Sequence, residues 1–325
     1  MKHNDHLILI TIITVLSLLL SATIIVYYTD SQPKCAPFTV VCTTSILADT
    51  VRAITGEHAH VISLMGPGID PHIYRARAHD LQTLLHANII FYHGLHLEGK
   101  IADILQEITV PTTIAVANSI PAKQLLSCDE YPEIYDPHIW FDVSLWMQVT
   151  NYITRILQQH DPQHAHEYGN NARIVLEQLR ALDQWIYAMI ERIPPTQRIL
   201  ITAHDAFGYF GRRYGIRVVG LQGISTDSEP GITDIQYLTK LIIANQINAI
   251  FIESSVPIRA LQAVQASVHA QGMHINLGDA LYSDALGIPG SGADTYCTMI
   301  QHNVQAIVDG LAAQDLDSGK PLSRS

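Results

Sequence analysis

The sequence predicts an α/β protein of two parallel-sheet lobes joined by a long, rigid backbone helix. Three observations predict it. Short apolar runs alternate with helical stretches from residue 38 to 116, and the alternation resumes from 198 to 312. Repeated strand–helix–strand order implies a mostly parallel sheet with helices on both faces. Between the two stretches, Pro162–Arg192 keeps a helical period for 31 residues. As one helix that is about 46 Å, more than a crossover needs. At 325 residues the chain is also comfortable for two domains.

In order, Phe38–Thr43 reads as a strand, Ser45–Thr55 as a helix and His60–Leu64 as a strand. Helices follow at Ala78–His86 and Leu97–Glu107, with strands at Asn88–Tyr92 and Thr112–Val116. Residues 117–137 are loop-rich, and Val143–His160 is helical. The long helix starts with Asp161 as N-cap and Pro162 at the first helical position. Ile174, Leu176, Leu179, Leu182, Trp185, Ile186, Met189 and Ile190 hold its period, and Ile193-Pro194-Pro195 stops it. A break near Gly169-Asn170-Asn171, giving two shorter helices, is the alternative. Beyond it, strands fall at Arg198–Thr202, Ile216–Gly220, Ala249–Glu253 and Met273–Asn276. Helices fall at Asp205–Tyr214, Thr233–Asn245, Ile258–His269 and Ala293–Ala312.

Leu7–Tyr28 is a run of 22 residues without a charge. It is long enough to span a bilayer, and no A-x-A cleavage site precedes Asp30. An uncleaved membrane anchor is the expectation, with a cleaved signal as the alternative; either places the rest outside the cytoplasm, periplasmic or extracytoplasmic. The expected organisation is an anchor over 1–30, a first lobe over 31–160, a linking helix over 161–193 and a second lobe over 194–325. Acidic residues outnumber basic ones, 30 to 19, with no basic run, which argues against a nucleic-acid surface. Cys35, Cys42, Cys128 and Cys297 form no CxxC, so a thiolate zinc site is not indicated, and their pairing is open.

The most telling local feature is a repeat. Asp70-Pro71-His72-Ile73-Tyr74 recurs 66 residues later as Asp136-Pro137-His138-Ile139-Trp140. Proline fixes its own φ and biases its predecessor toward extended backbone, so each histidine is presented with little entropy left to lose. A metal ligand needs that. His204 ends a predicted strand in Thr202-Ala203-His204-Asp205, and Asp284 lies in the Gly278–Gly287 loop after the last strand. Strand C-terminal ends are where α/β folds bind ligands. His72 and His138 from the first lobe, with His204 and Asp284 from the second, would place a metal ion in the inter-lobe cleft. Three imidazoles and a carboxylate suit Zn²⁺, and also Mn²⁺ or Fe²⁺ if both carboxylate oxygens bind. Calcium and magnesium prefer all-oxygen shells. Taken alone, His204 would also serve as a helix-capping or core-edge residue and Asp284 as a turn residue. His93 and His96 have i, i+3 spacing, which suits a solvated helix start better than a metal site. Asp142 and Glu253 are candidates to orient the imidazoles, with surface ion pairing as their alternative.

In combination, several segments resemble the zinc/manganese substrate-binding proteins of bacterial ABC transporters, the cluster A-I, TroA-like group. They are Met65–His72, Asp136–Asp142, Thr202–Phe210 and Ile252–Ser255, with Gly94–Glu98 and Gly220–Thr226. The resemblance covers roughly residues 38–312. It implies two α/β lobes on a backbone helix, and ligands at His72, His138, His204 and Asp284. It further implies a monomeric, non-enzymatic carrier that captures one divalent transition metal (zinc, manganese or iron). The carrier would deliver that ion to an ABC permease and its ATPase subunit for import. Zinc-dedicated members of the group often carry a His-rich loop ahead of the second ligand, whereas Leu126–Tyr135 has acids but no histidine. Many manganese-selective members have Glu where this chain has His204. The metal choice therefore stays open.

Two other classes compete. A zinc metallohydrolase on the same residues would need an open coordination position and a base, and no HExxH, G-x-S-x-G or P-loop is present. A surface adhesin would explain the anchor but not the repeated Asp-Pro-His loops.

Overall fold

The computed structural model describes residues 13–18, 20, 21, 37–127 and 134–312. From Phe38 onward the chain forms one compact unit, separate from a unit over Met1–Pro37. In the latter, residues 13–18, 20 and 21 are helical. Among the described residues no helix is long and apolar enough to cross a membrane. The rest of the Leu7–Tyr28 run, and with it most of the expected anchor, lies outside the described residues, as do Cys35 and Cys128. Cys42 and Cys297 are free thiols.

The first lobe is a four-stranded parallel sheet in the order β2-β1-β3-β4, from β1 (Phe38–Cys42), β2 (Ala59–Ser63), β3 (Ile89–Tyr92) and β4 (Thr112–Ala115). Val40, Val41, Ile89, Ile90 and Phe91 are fully buried, as expected of strands covered on both faces. Helix α1 (Ser45–Thr55) is capped by Thr44, whose hydroxyl accepts the Leu47 N–H, and ends at Gly56 with φ 56°. Helices α2 (Ala78–Leu85) and α3 (Ala102–Glu107) follow. Helix α3 is shorter than expected, because Leu95 and His96 both take positive φ and residues 97–101 are turns.

Helix α4 (Val143–His160) has the expected bounds, with Asp142 accepting from the N–H groups of Ser144 and Leu145. The long helix differs from expectation at its start. Pro162–His164 form a 3₁₀ turn, and α5 proper runs Ala165–Ile190, about 39 Å. Asp161 caps nothing; its carboxylate faces His164 Nδ1 (2.8 Å) and the Tyr168 hydroxyl instead. The helix is not broken at Gly169-Asn170-Asn171, where Asn171 donates to the Ile54 carbonyl of α1 (3.0 Å). Tyr168, Ala172, Leu179, Leu182, Ile186 and Met189 form its buried stripe, packed on α1, α4 and α9.

The second lobe holds two parallel strand pairs, β5 (Ile199–His204) with β6 (Arg217–Gln222), and β7 (Ala249–Glu253) with β8 (Asn276–Leu281), and β5 lies beside β7. Around them are α6 (Gly208–Tyr214), α7 (Ile232–Ala244), α8 (Arg259–Ala270) and α9 (Tyr296–Ala312). Strand β8 lies later than the expected Met273–Asn276. Pairing decides it: Ala249 registers on Asn276 and Phe251 on Gly278, whose missing side chain makes room for the Phe251 ring.

Gly220 pairs with Thr202 of β5, and a Cβ there would lie 2.4 Å from the Asp205 nitrogen. Backbone cannot yield as a flexible side chain can. Gly220→Ala should therefore cost about 1–3 kcal/mol, read as a lower denaturant midpoint, and should disturb the strand end that carries His204. An unchanged midpoint would contradict this packing.

Candidate metal centre

Both Asp-Pro-His repeats fold the same way. Asp70 Oδ1 accepts the His72 N–H (2.9 Å) and Asp136 Oδ1 accepts the His138 N–H (2.9 Å). Each aspartate thus closes a local turn around the proline that follows it. His138 is then held further. Asp136 Oδ1 sits 2.6 Å from its Nδ1, so that nitrogen carries the proton and Nε2 is left to face the cleft. Behind the loop, the buried His93 donates through Nε2 to the Pro137 carbonyl (2.5 Å) and meets the Trp140 ring edge-on. The expectation of a solvated His93 is therefore wrong. Glu98 Oε1 accepts its N–H (2.7 Å) and thereby fixes its backbone, while His96 alone faces solvent.

His204 closes β5. Its N–H donates to Glu253 Oε1 (2.9 Å) at the end of β7, and its Nδ1 lies 2.6 Å from Glu253 Oε2. Asp284 follows β8 in a buried turn beside Ser283. The expected roles of the two flanking acids thus separate. Glu253 touches His204, whereas Asp142 caps α4 and lies 3.3 Å from Arg213 Nε. The acid against His138 is Asp136, a residue that the repeat itself contained.

The structure brings all four predicted side chains together. Their ligand atoms lie within 4.8 Å of one another. His138 Nε2 is 3.3 Å from His72 Nε2, 3.4 Å from His204 Nε2 and 3.4 Å from Asp284 Oδ1; His204 Nε2 is 3.4 Å from Asp284 Oδ2. Bonds of about 2.0–2.1 Å at tetrahedral angles put ligand atoms about 3.3–3.4 Å apart. The two Asp284 oxygens face different imidazoles, so the same cage admits a fifth bond through the second oxygen. His138 and His204 are fully buried, and His72 and Asp284 are only 4% and 1% exposed. Asp284 Oδ1 is buried with only a long approach to His138 Nε2 (3.4 Å) to satisfy it. A buried carboxylate oxygen left this way costs free energy that a cation in the cage would offset.

The electrostatics agree with a cation site. Burial would lower the His138 pKa, but Asp136 and Asp284 outweigh it and raise it to about 9. His204 is likewise raised, Glu253 and Asp284 overcoming its burial. Asp284, despite burial, is held well below the usual carboxylate range by His204 and His138. His72 has no carboxylate of its own, and burial pushes it down to about 3.

Carboxylates behind ligating imidazoles orient them and raise their basicity. Glu253→Gln should keep the bond to the His204 N–H and lose the charge at Nδ1. Zinc affinity is expected to fall about 10–100-fold, by competition titration. Unchanged affinity would remove Glu253 from the site.

Comparison with known proteins finds relatives along most of the chain. Residues 40–310 match the family described as zinc-uptake complex component A, periplasmic. The manganese-binding lipoprotein MntA of Bacillus subtilis is 43% identical over 286 residues, covering 87% of this chain and 93% of that protein. The zinc-binding protein TroA of Treponema pallidum is 40% identical over 274 residues, covering 84% of this chain and 88% of that protein. Its solved structure superposes with a TM-score of 0.82, covering 84% of this chain and 99% of that one. The Fe(III)-bound structure of YtgA from Chlamydia trachomatis gives a TM-score of 0.77 at 29% identity, covering 84% and 98% of the two chains.

Proposed function

This chain belongs to the family of periplasmic zinc-uptake component A (ZnuA) proteins, and on that premise we propose that His72, His138, His204 and Asp284 hold its cargo, one divalent transition metal ion. The family consists of solute-binding proteins for metal uptake rather than enzymes, and they work with an ABC permease and its ATPase. The carrier captures the ion outside the cytoplasm and hands it on for import. The observation that carries the site assignment is the convergence of four buried ligand atoms, two from each lobe, with His138 Nε2 3.3–3.4 Å from an atom of each of the other three. Four protein ligands leave no position for a reacting water, which is what binding without turnover requires.

Proteins similar to this chain are named for manganese, zinc and iron, so any of these ions is a candidate cargo. Within this proposal, residues 1–30 anchor or export the chain, 31–160 and 194–325 are the two metal-binding lobes, and 161–193 links them. The carrier works as a monomer, with the membrane reached through its N-terminal segment. Elemental analysis and metal titration of the chain from Ser31 onward test the reading. One tightly held equivalent is expected; no retained metal would overturn it.

A further inference from the structure

We propose that the Thr226 hydroxyl latches the His72 wall of the cage across the cleft and so sets how fast the ion leaves. This rests on the carrier reading above. Three of the four ligand loops are fastened to one another. The Trp140 indole donates to the Ser283 carbonyl (3.0 Å), joining the His138 and Asp284 loops. Phe141 and Phe207 stack at 4.3 Å, joining the His138 and His204 loops. The Tyr209 hydroxyl donates to the Asp136 carbonyl (2.9 Å). The residues flanking His138 and Asp284 are buried on both sides.

The His72 loop differs. Ile69 and Ile73, on either side of the motif, are 41% and 49% exposed, and Pro67 and Gly68 face solvent. An ion can leave this cage most cheaply by displacing that wall, since the other three move only together. Among the described residues, one hydrogen bond ties the 66–73 loop to the second lobe: Thr226 Oγ1 donates to Asp70 Oδ2 (2.6 Å). The other oxygen of the same carboxylate holds the His72 N–H. Asp70 therefore positions the ligand with one oxygen and fastens it to the opposite lobe with the other. The neighbouring Lys100–Asp227 pair also crosses the cleft at 2.8 Å, but its side chains are 35% and 52% exposed. An exposed pair of this kind contributes little and is screened by salt. The latch is thus the hydroxyl–carboxylate bond between half-buried Thr226 and buried Asp70, and release should respond less to ionic strength than the exposed pair would.

The test is the rate at which the Zn²⁺-loaded protein surrenders its ion to a chromophoric chelator, in the regime where the rate does not depend on chelator concentration. Thr226→Val keeps the shape and removes the donor, leaving a buried carboxylate oxygen unpaired. Release should accelerate roughly 10–100-fold, the range for a hydrogen bond to a charged group. Thr226→Ser restores the donor and should release within about threefold of wild type, since the bond is retained. If Thr226→Val lowers the unfolding temperature of the metal-free protein but releases zinc at the wild-type rate, the hydroxyl is only structural and the latch is wrong. If Thr226→Ser releases as fast as Thr226→Val, the hydroxyl is not the cause and the latch is again wrong. Either result leaves the carrier reading standing. Wild-type protein that retains no zinc would overturn that reading, and the latch with it.

Discussion

Replacing His204 by alanine is expected to weaken zinc binding by roughly 10²–10³-fold. Structural zinc sites yield about 10–16 kcal/mol from four ligands, so one ligand accounts for about 3–4 kcal/mol, or two to three decades of affinity. His204 is fully buried and its Nε2 is 3.4 Å from both His138 Nε2 and Asp284 Oδ2, so no neighbouring side chain replaces it without movement. The substitution also strips Glu253 Oε2 of the imidazole 2.6 Å away. The unfolding temperature of the metal-free variant therefore belongs beside the titration. A folded variant that binds zinc like wild type would take His204 out of the site.

Acidification is expected to have an effect of similar size. Zinc needs neutral imidazoles, and the metal-free protein holds protons on His138, whose pKa is raised to about 9, and on His204, raised well above its ordinary value. A raised pKa means the proton is present below it, so near pH 7 binding must expel about two protons. His72, lowered to about 3, holds none there. Affinity should thus fall about 100-fold for each pH unit between roughly 8 and 6, at two protons per ion. Calorimetry in buffers of different ionisation heats should count about two protons released per Zn²⁺. The metal-free protein should behave in the opposite sense. Its raised histidines stabilise the fold fully below their unfolded pKa of about 6.5, and the His138 share of that stability is lost as pH rises through about 9. A titration without proton release would contradict the charge state assigned to the cage.

The ligand loops were legible because they are local. Asp-Pro-His carries its own geometry, an aspartate closing a turn over a proline, and the structure repeats that turn at both copies. Apolar strand cores such as Val40–Cys42 and Ile89–Phe91 were equally plain. What escaped was decided at long range. Strand β8 follows the register of β7 and the Phe251 ring over Gly278, although glycine and aspartate are poor strand formers. His93 looked like a solvated residue until the fold set the Pro137 carbonyl, 44 positions away, against its ring. Asp142 and Asp136 were indistinguishable as acids beside His138. Only the backbone path sends one to the helix cap and the other to Nδ1. The 3₁₀ turn at Pro162–His164 likewise reflects the pull of Tyr168 and His164 on Asp161, which no period records.

The most direct test of the central claim is anomalous diffraction from crystals of the Zn²⁺-loaded chain, measured across the zinc edge. The account predicts one peak in the cleft, about 2.0–2.2 Å from Nε2 of His72, His138 and His204 and from a carboxylate oxygen of Asp284. A cleft without a peak, or an ion held by other residues such as the stacked His269 and His274 on the second lobe, would contradict it.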